Sequence, residues 1–317
     1  MCKGLVPIVD KGEQMIWVTV FFVLVVVGAA VPVLQERGRR RMTPELRKQA
    51  DGRFAKLSAG QTHYQWSGGA RGPVIVLVHG LTTPSIVWDA ITPALTGLGF
   101  RVLRYDLYGR GYSDAPKGTQ DMGFFTRQLG DLLADQGVTQ DITLMGYSMG
   151  ASIVTAYAAA NPHAVARVIL VAPAGIEMTE PLFERFCRMV PVLGDWAHGV
   201  FAAARARRGA VKPAPLAQMQ AFQLSRRGYL PAVLASRRGA LSGRLEIAHR
   251  KLGREDVPVW AFWGREDTTI PLSAMGTLVM WNRAVHNDDI AGAGHGLPYT
   301  HADALAAAIT GMMRDID

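Results

Sequence analysis

The stretch that points most directly to a fold is residues 141–155, which read Asp141-Ile-Thr-Leu-Met-Gly146-Tyr-Ser148-Met-Gly150-Ala-Ser-Ile-Val-Thr155. The apolar run before Gly146 predicts a short buried strand, and the small and apolar residues after Gly150 predict a helix. A serine with a glycine two residues to each side is typical of a sharp strand-to-helix turn that presents a hydroxyl above a sheet. The helix N-terminus then faces Ser148, where the backbone N–H of Met149 can stabilise an oxyanion.

Apolar runs alternate with helical stretches on both sides of this turn. Strands are predicted at residues 74–78, 101–105, 142–144, 168–171, 257–262 and 283–290, and residues 61–66 predict an edge strand. Helices are predicted at 88–98, 124–136 and 301–314. Strands and helices that alternate with short loops indicate an α/β fold with a mostly parallel central sheet and helices on both faces.

Three of the predicted loops carry Ser148, Asp267 and His295, in that order along the chain. In a parallel sheet these loops emerge at the carboxyl edge, where ligands bind. Together with further motifs, this order resembles the α/β-hydrolase family over roughly residues 60–317. The motifs are His79-Gly80, Asp106-x-x-Gly109-x-Gly111-x-Ser113-Asp114, Gly146-Tyr-Ser148-Met-Gly150, and Gly264-x-x-Asp267 with Gly294-His295.

The resemblance implies a role for each residue of a catalytic triad. Ser148 would be the nucleophile, His295 the base that takes its proton, and Asp267 the carboxylate that orients the imidazole. The backbone N–H groups of Leu81 and Met149 would form the oxyanion hole.

Several neighbouring polar residues compete with these assignments. Glu266 adjoins Asp267, but the family spacing favours Asp267, and His79 is expected to shape the oxyanion loop rather than act as the base. The remaining candidates are expected to have structural roles or none in the chemistry: Asp106, Ser113, Asp114, His286 and His301.

Residues 15–34 (MIWVTVFFVLVVVGAAVPVL) carry no charge and are long enough to span a bilayer. A cleaved signal peptide is the alternative, because Gly28-Ala29-Ala30 offers small residues before a cut. The arginine cluster that follows at residues 37–41 instead predicts a single-pass membrane anchor with the remaining domain on the cytoplasmic side.

The predicted organisation is a tail over residues 1–14, an anchor over 15–34, a basic linker over 35–58, and a hydrolase core over 59–178 and 254–317. A helical cap over 179–253 interrupts this core. The cap holds thirteen Lys/Arg against four Asp/Glu, so it accounts for the formal net charge of +8. No nucleic-acid motif accompanies the charge, which favours an anionic membrane surface as partner over nucleic acid.

Cys2 and Cys187 are the two cysteines and lie far apart in the sequence. They imply no disulfide framework. No cluster of His, Cys, Asp or Glu has the spacing of metal ligands, so neither a metal nor a cofactor is expected.

The dehalogenase and epoxide-hydrolase branches of this family have a carboxylate nucleophile at the turn. A serine at this position disfavours membership of either branch. The resemblance implies a serine hydrolase of lipid-like acyl esters, similar to membrane-bound monoacylglycerol lipases and carboxylesterases. One alternative is a C–C bond hydrolase of aromatic catabolism, and another is a non-catalytic membrane-bound scaffold. Substrate identity, acyl chain length, substrate-binding residues and oligomeric state stay open.

Overall fold

Eight strands form one sheet in the computed structural model, which describes residues 11–208 and 213–314. The strands are β1 (Arg53–Leu57), β2 (Gly60–Ser67), β3 (Val74–Val78), β4 (Arg101–Tyr105), β5 (Ile142–Tyr147), β6 (Val165–Val171), β7 (Val259–Gly264) and β8 (His286–Ile290). Their spatial order is β1-β2-β4-β3-β5-β6-β7-β8. β1 and β2 run antiparallel to their neighbours and all other pairs are parallel, which confirms the predicted mostly parallel α/β sheet.

The N-terminal edge of the sheet differs from the sequence prediction. Arg53–Leu57, expected in the basic linker, forms β1 and pairs with β2. Gly60–Ser67, expected at the edge, therefore lies between β1 and β4. A five-residue strand with two basic residues next to a basic segment gives little hydrophobic pattern, so the sequence did not distinguish it from a linker.

Thirteen helices lie within the described residues. They are α1 (Lys11–Gly38), α2 (Pro44–Arg47), α3 (Thr92–Gly97), α4 (Met122–Asp135), α5 (Met149–Ala160), α6 (Leu182–Met189), α7 (Leu193–Arg208), α8 (Ala214–Ser225), α9 (Tyr229–Arg238), α10 (Glu246–Arg254), α11 (Ser273–Trp281), α12 (Leu297–Thr300) and α13 (Ala302–Arg314). Short 3₁₀ turns cover Ser85–Trp88 and Pro162–Ala164.

Helices cover both faces of the sheet, and each face has its own apolar core. Side chains of α4, α5, α10 and α11 pack on one face, and those of α3 and α13 pack on the other. The central strands are therefore buried on both sides, and all six residues of β5 are buried. This explains why Val74–Val78 is an unbroken apolar run rather than an alternating one.

Helices α6 to α9 form the cap between β6 and β7. α10, which the predicted cap boundary at residue 253 includes, instead packs against α5 and α11 of the core. Its His249 is buried and stacks on Trp281. A basic, amphipathic helix at the end of a basic helical segment looks like another cap helix, which explains the difference. Residues 1–10, 209–212 and 315–317 of the predicted tail, cap and core lie outside the described residues.

The apolar side chains of helix α1 are largely exposed. By length and composition, its segment Gln14–Gly38 could cross a membrane. Its C-terminal half packs against α7. After α1, Arg40 pairs with the cap through backbone hydrogen bonds to Ser225 and Arg227. The α2 helix follows, and its N-cap is Thr43, whose hydroxyl accepts from the N–H of Leu46.

Candidate active site

Ser148 sits at the turn between β5 and α5, with φ at 53° and ψ at −117°. Such a backbone conformation is costly for a residue with a side chain and persists where the surroundings enforce it. A Cβ on Gly146 would meet the backbone of Gly150 and Ala151, and one on Gly150 would meet the carbonyl oxygens of Val78 and His79. The two glycines of the motif are therefore required by close backbone packing.

His295 joins Ser148 to Asp267 by two short hydrogen bonds. Its Nε2 lies 3.0 Å from the Ser148 Oγ, and its Nδ1 lies 2.7 Å from the Asp267 Oδ2. The three residues come from loops after β5, β7 and β8 and meet at the carboxyl edge of the sheet. The sequence prediction placed the same three side chains at one site.

Asp267 is buried and its second oxygen is also engaged. The Oδ1 accepts hydrogen bonds from the backbone N–H groups of Thr269 and Ile270, at 2.7 and 2.9 Å. These bonds hold the carboxylate so that its Oδ2 accepts from the His295 Nδ1–H. In this tautomer Nε2 carries the lone pair and can accept the Ser148 proton. Glu266, the competing candidate, is exposed.

The ring of His295 packs against Tyr147, whose hydroxyl donates to the His295 carbonyl oxygen at 2.9 Å. Burial raises the pKa of Tyr147 well above its ordinary value, so the phenol stays neutral and keeps this bond at any physiological pH.

Leu81 and Met149 flank Ser148 from two different elements. Met149 is the first residue of α5, and Leu81 follows β3 in the loop that begins with His79-Gly80. A Cβ on Gly80 would lie 3.3 Å from the Cβ of Ser148, so this loop passes directly beside the nucleophile.

The Leu81 carbonyl oxygen accepts a 2.9 Å hydrogen bond from the Nε of Arg110, which is fully buried. The same guanidinium donates to the Tyr108 carbonyl oxygen and Gln120 Oε1, and to Ser236 Oγ on cap helix α9. Burial lowers the pKa of Arg110 to about 10, and it stays charged at neutral pH. One arginine thus ties the loop of Leu81 to the cap. The sequence indicated it only as the variable residue between Gly109 and Gly111.

His79 lies beneath the site and is fully buried. Its Nδ1 donates to the Gly80 carbonyl oxygen, and its Nε2 accepts from the Leu107 N–H, both at 2.8 Å. Burial lowers its pKa to about 4, so the ring is neutral. Both ring nitrogens are occupied, one within its own loop and one by the loop after β4, which agrees with the predicted structural role.

Asp106 fixes the neighbouring motif loop, as predicted. Its Oδ1 accepts from the Ser85 N–H and its Oδ2 from the Tyr112 N–H, each at 2.9 Å. The Oδ2 also lies 2.7 Å from the Nδ1 of His63, a residue that the sequence did not single out. His63 Nε2 faces the Asp51 carbonyl oxygen, so both ring nitrogens act as donors and the imidazole is charged.

The electrostatics of this pair follow from its burial. Burial alone would lower the pKa of His63 and raise that of Asp106. Their mutual attraction outweighs burial, so the pKa of His63 is raised and the pKa of Asp106 lies well below its ordinary value.

Two cavities lie at the cap, and neither is lined by Ser148, Asp267 or His295. One of about 450 Å³ starts at Thr82, next to Leu81, and is lined by all four cap helices. The other, of about 980 Å³, lies between the cap and the α1 residues Ala29, Pro32 and Val33. Both cavities have His198 and Leu230 in their walls.

Within residues 11–208 and 213–314, no three His, Cys, Asp or Glu side chains are grouped so that they could hold a metal ion.

The chain matches a family model described as alpha/beta hydrolase fold over residues 73–225. A haloalkane dehalogenase of Mycobacterium marinum is 30% identical over 218 residues, which cover 65% of this chain and 72% of the relative. An uncharacterized protein of Mycobacterium tuberculosis is 31% identical over 105 residues, which cover 33% of this chain and 30% of the relative. The chain thus spans less than a third of the length of that relative.

Among solved structures, the enol-lactonase from Burkholderia xenovorans superposes with a TM-score of 0.69 at 22% sequence identity. The superposition covers 83% of this chain and 100% of the enol-lactonase chain. At this level of identity the likeness concerns the fold.

Proposed function

Since the chain belongs to the α/β-hydrolase family, we propose that it is a membrane-anchored serine hydrolase that cleaves carboxylic esters of lipid-like substrates. The observation that carries the proposal is the hydrogen-bonded series from Ser148 through His295 to Asp267. A serine hydroxyl is a weak nucleophile at neutral pH, and this arrangement supplies the base that it needs.

In the proposed reaction, the Ser148 Oγ attacks the ester carbonyl carbon while its proton passes to the His295 Nε2. The backbone N–H groups of Leu81 and Met149 stabilise the negative oxygen of the tetrahedral intermediate. His295 then gives the proton to the leaving alcohol, which leaves an acyl ester on Ser148. Water, deprotonated by the same imidazole, attacks this ester and releases the acid and the free serine.

The chemistry of Ser148 also argues against the activity named for the Mycobacterium marinum relative. A carboxylate that displaces a halide forms an ester, which water can hydrolyse to regenerate the enzyme. A serine oxygen that displaces a halide would form an alkyl ether, which water does not cleave under these conditions. Acyl transfer is the chemistry that returns Ser148 to its starting state.

Membrane anchoring is supported by how α1 is held. Its Gly28 carbonyl oxygen accepts a 2.7 Å hydrogen bond from the Nε1 of Trp196, and its Glu36 Oε1 accepts from the Gly228 N–H. Removal of a signal peptide after Ala30 would cut the helix inside this contact. We therefore favour a retained anchor, oriented with the catalytic domain on the cytoplasmic side by the arginines after α1.

The two cavities support the proposal of a lipid-like substrate. The larger one is bounded by residues near the C-terminal end of the apolar run of α1, and it shares His198 and Leu230 with the smaller one, which Thr82 lines next to Leu81. An acyl chain of monoacylglycerol type has the apolar character and the size to occupy these cavities.

The test is active-site labelling of the full-length protein in detergent with a fluorophosphonate, followed by peptide mapping. We expect the label on Ser148 and none in Ser148→Ala, with Ser273→Ala, an exposed serine on α11, as the matched control that labels normally. A chain-length series of p-nitrophenyl esters and monoacylglycerols then defines the substrate. Absence of labelling in a folded sample would contradict the hydrolase proposal and favour a non-catalytic scaffold.

A further inference from the structure

Two contacts define how the cap lies along α1. Trp196 donates to the Gly28 carbonyl oxygen, and Gly199 packs so closely on Pro32 that a Cβ on it would lie 2.5 Å from the proline Cβ. Residue numbers increase together in the two contacts, so α7 and α1 run side by side in the same direction. The N-terminus of α7 therefore points toward the N-terminal, apolar part of α1.

The length of α1 then sets the depth of the cap. Residues 15–34 contain about 20 positions, which at about 1.5 Å each match a hydrocarbon core of about 30 Å. If the cap contact at residues 28–34 lay outside the bilayer, only 13 positions, or about 20 Å, would remain. That is too short to span. The contact itself must lie within the membrane if α1 crosses it.

The part of the cap that reaches furthest is the turn at residues 189–193, here named the cap tip. Gly28 lies about 9 Å inside the end of the apolar run at Leu34, and Leu193 begins α7 about 4.5 Å beyond Trp196. The cap tip therefore extends to about 13 Å below the end of the apolar run.

The composition of the cap tip fits lipid rather than water. Met189, Val192 and Leu193 are exposed by 56%, 76% and 63%. Val192 lines the same cavity as Ala29, Pro32 and Val33 of α1. Val192 also has φ at 65°, a conformation that a β-branched residue rarely adopts and that glycine adopts freely. This backbone strain is the same in water and in lipid, and what lipid adds is the burial of the exposed apolar side chains.

The basic residues at the end of cap helix α7 lie at the same level as the basic residues that follow the apolar run of α1. α7 ends in Arg205, Arg207 and Arg208, six to nine residues after the contact of Gly199 with Pro32. The same number of residues after Pro32 leads to the arginines at 39–41. Arg207 lies close enough to Arg39 to contribute, after burial, to lowering the Arg39 pKa. Below this level α7 carries one acidic side chain, Asp195, which is paired with Arg238. At this level both helices become basic, as expected at the headgroups of an anionic leaflet.

We propose that the cap tip lies within the hydrocarbon region of the leaflet next to the catalytic domain, so that α1 and the cap enter the bilayer as one unit. The partner of this surface is the acyl-chain layer of a phospholipid bilayer. The inference rests on the membrane anchoring proposed above and is independent of whether the protein hydrolyses esters.

The test measures the depth of single nitroxide labels in the full-length protein reconstituted into bilayers that contain anionic phospholipid. Labels are placed at Phe22 in α1, at Leu193 in the cap tip, and at Ile247, an 82% exposed apolar residue on α10 that serves as the matched control. Cys2→Ser removes one native thiol, and the fully buried Cys187 does not react. Power saturation compares collisions with oxygen, which partitions into lipid, and with a water-soluble nickel chelate.

We expect Phe22 and Leu193 to be several-fold more accessible to oxygen than to nickel, and Ile247 to show the reverse. A lipid profile at Phe22 with a water profile at Leu193 would overturn the proposal while leaving the anchor intact. A water profile at Phe22 would overturn both the anchor and the proposal. Low accessibility of Leu193 to both reagents, with dipolar broadening between labels, would mean that a second copy of the chain covers the cap tip, which also overturns it.

Discussion

One carboxylate oxygen of Asp267 lies 2.7 Å from the His295 Nδ1, while the other accepts two backbone N–H groups. In Asp267→Asn, the amide oxygen can keep the backbone bonds, and its NH₂ then faces the His295 Nδ1. The imidazole then takes the other tautomer, with its lone pair on Nδ1 and its proton on Nε2 facing Ser148. In this tautomer Nε2 cannot accept the serine proton. We expect kcat on a p-nitrophenyl ester to fall by about 10³ to 10⁴ with little change in Tm.

Glu266→Gln is the matched control for this prediction, because it makes the same chemical change at the exposed neighbouring residue. We expect its kcat to stay within about twofold of the unmodified protein. An equal loss in both variants would mean that Asp267 does not have the orienting role.

The buried pair of His63 and Asp106 predicts how stability depends on pH. The pKa of His63 is raised above its ordinary 6.5, so its contribution is complete below pH 6.5 and is lost as pH rises through the folded-state value. The pKa of Asp106 is lowered, so its contribution is present above its ordinary 3.8 and is lost only in strong acid. The pair therefore contributes fully between about pH 4 and 6.5 and weakens in alkali.

His63→Gln keeps a donor for Asp106 and removes the charge. We expect it to be less stable by about 3 kcal/mol at pH 6, with a smaller difference at pH 9. Denaturant titrations of both proteins at the two pH values measure this. Taking the difference cancels the opposite contribution of His79, whose lowered pKa makes it destabilising in acid. A difference that does not change with pH would show that the pKa of His63 is the same in the folded and the unfolded protein, which contradicts the raised value.

At the residue level, the sequence predicts groups that stand in recognisable motifs and misses those held by distant partners. Ser148, Asp267 and His295 could be named because each follows a predicted strand in a family motif. His63 meets Asp106 across 43 positions, and Arg110 meets Ser236 across 126. Neither pair leaves a local pattern, since each is created only when the sheet and the cap assemble.

Among the elements, the loop of Leu81 and cap helix α9 are connected through Arg110. Arg110→Met keeps much of the side-chain volume but leaves the Leu81 and Tyr108 carbonyl oxygens without this donor. We expect a loss of about 2–4 kcal/mol in stability. We also expect kcat to fall about tenfold, because the peptide that carries the Leu81 N–H is less well positioned.

Arg127→Met, on the exposed side of α4, is the control for the loss of a charge and should leave both quantities nearly unchanged. A variant of Arg110 that loses stability but keeps kcat would contradict the link to the oxyanion site. The loss should appear in kcat rather than in KM, because the bond acts on the transition state.

Helices and strands can be predicted from the sequence where their buried positions give a regular pattern of apolar residues. Val74–Val78 is apolar throughout because it is covered on both faces, and its assignment needs no tertiary information. β1 and α10 were misassigned because both are rich in basic residues, and their place in the core depends on the partners β2 and α5. Composition alone does not distinguish a solvated basic helix from one with a single buried face.

For the molecule as a whole, the contact between Gly199 and Pro32 determines whether α1 and the cap move as one body. A methyl group at Gly199 would lie 2.5 Å from the Pro32 Cβ, which both helix backbones would have to move to accommodate. Gly276, inside α11, has open space around its Cβ position. Gly276→Ala should therefore stabilise the protein by about 0.5–1 kcal/mol, the usual gain inside a helix. Gly199→Ala should lose that gain and separate α1 from α7.

Hydrogen exchange of the full-length protein in detergent measures this separation. We expect faster exchange at the Trp196 indole and along α7 in Gly199→Ala, and no change there in Gly276→Ala. Unchanged exchange in both variants, with equal gains in Tm, would mean that the two helices are not closely packed at this point.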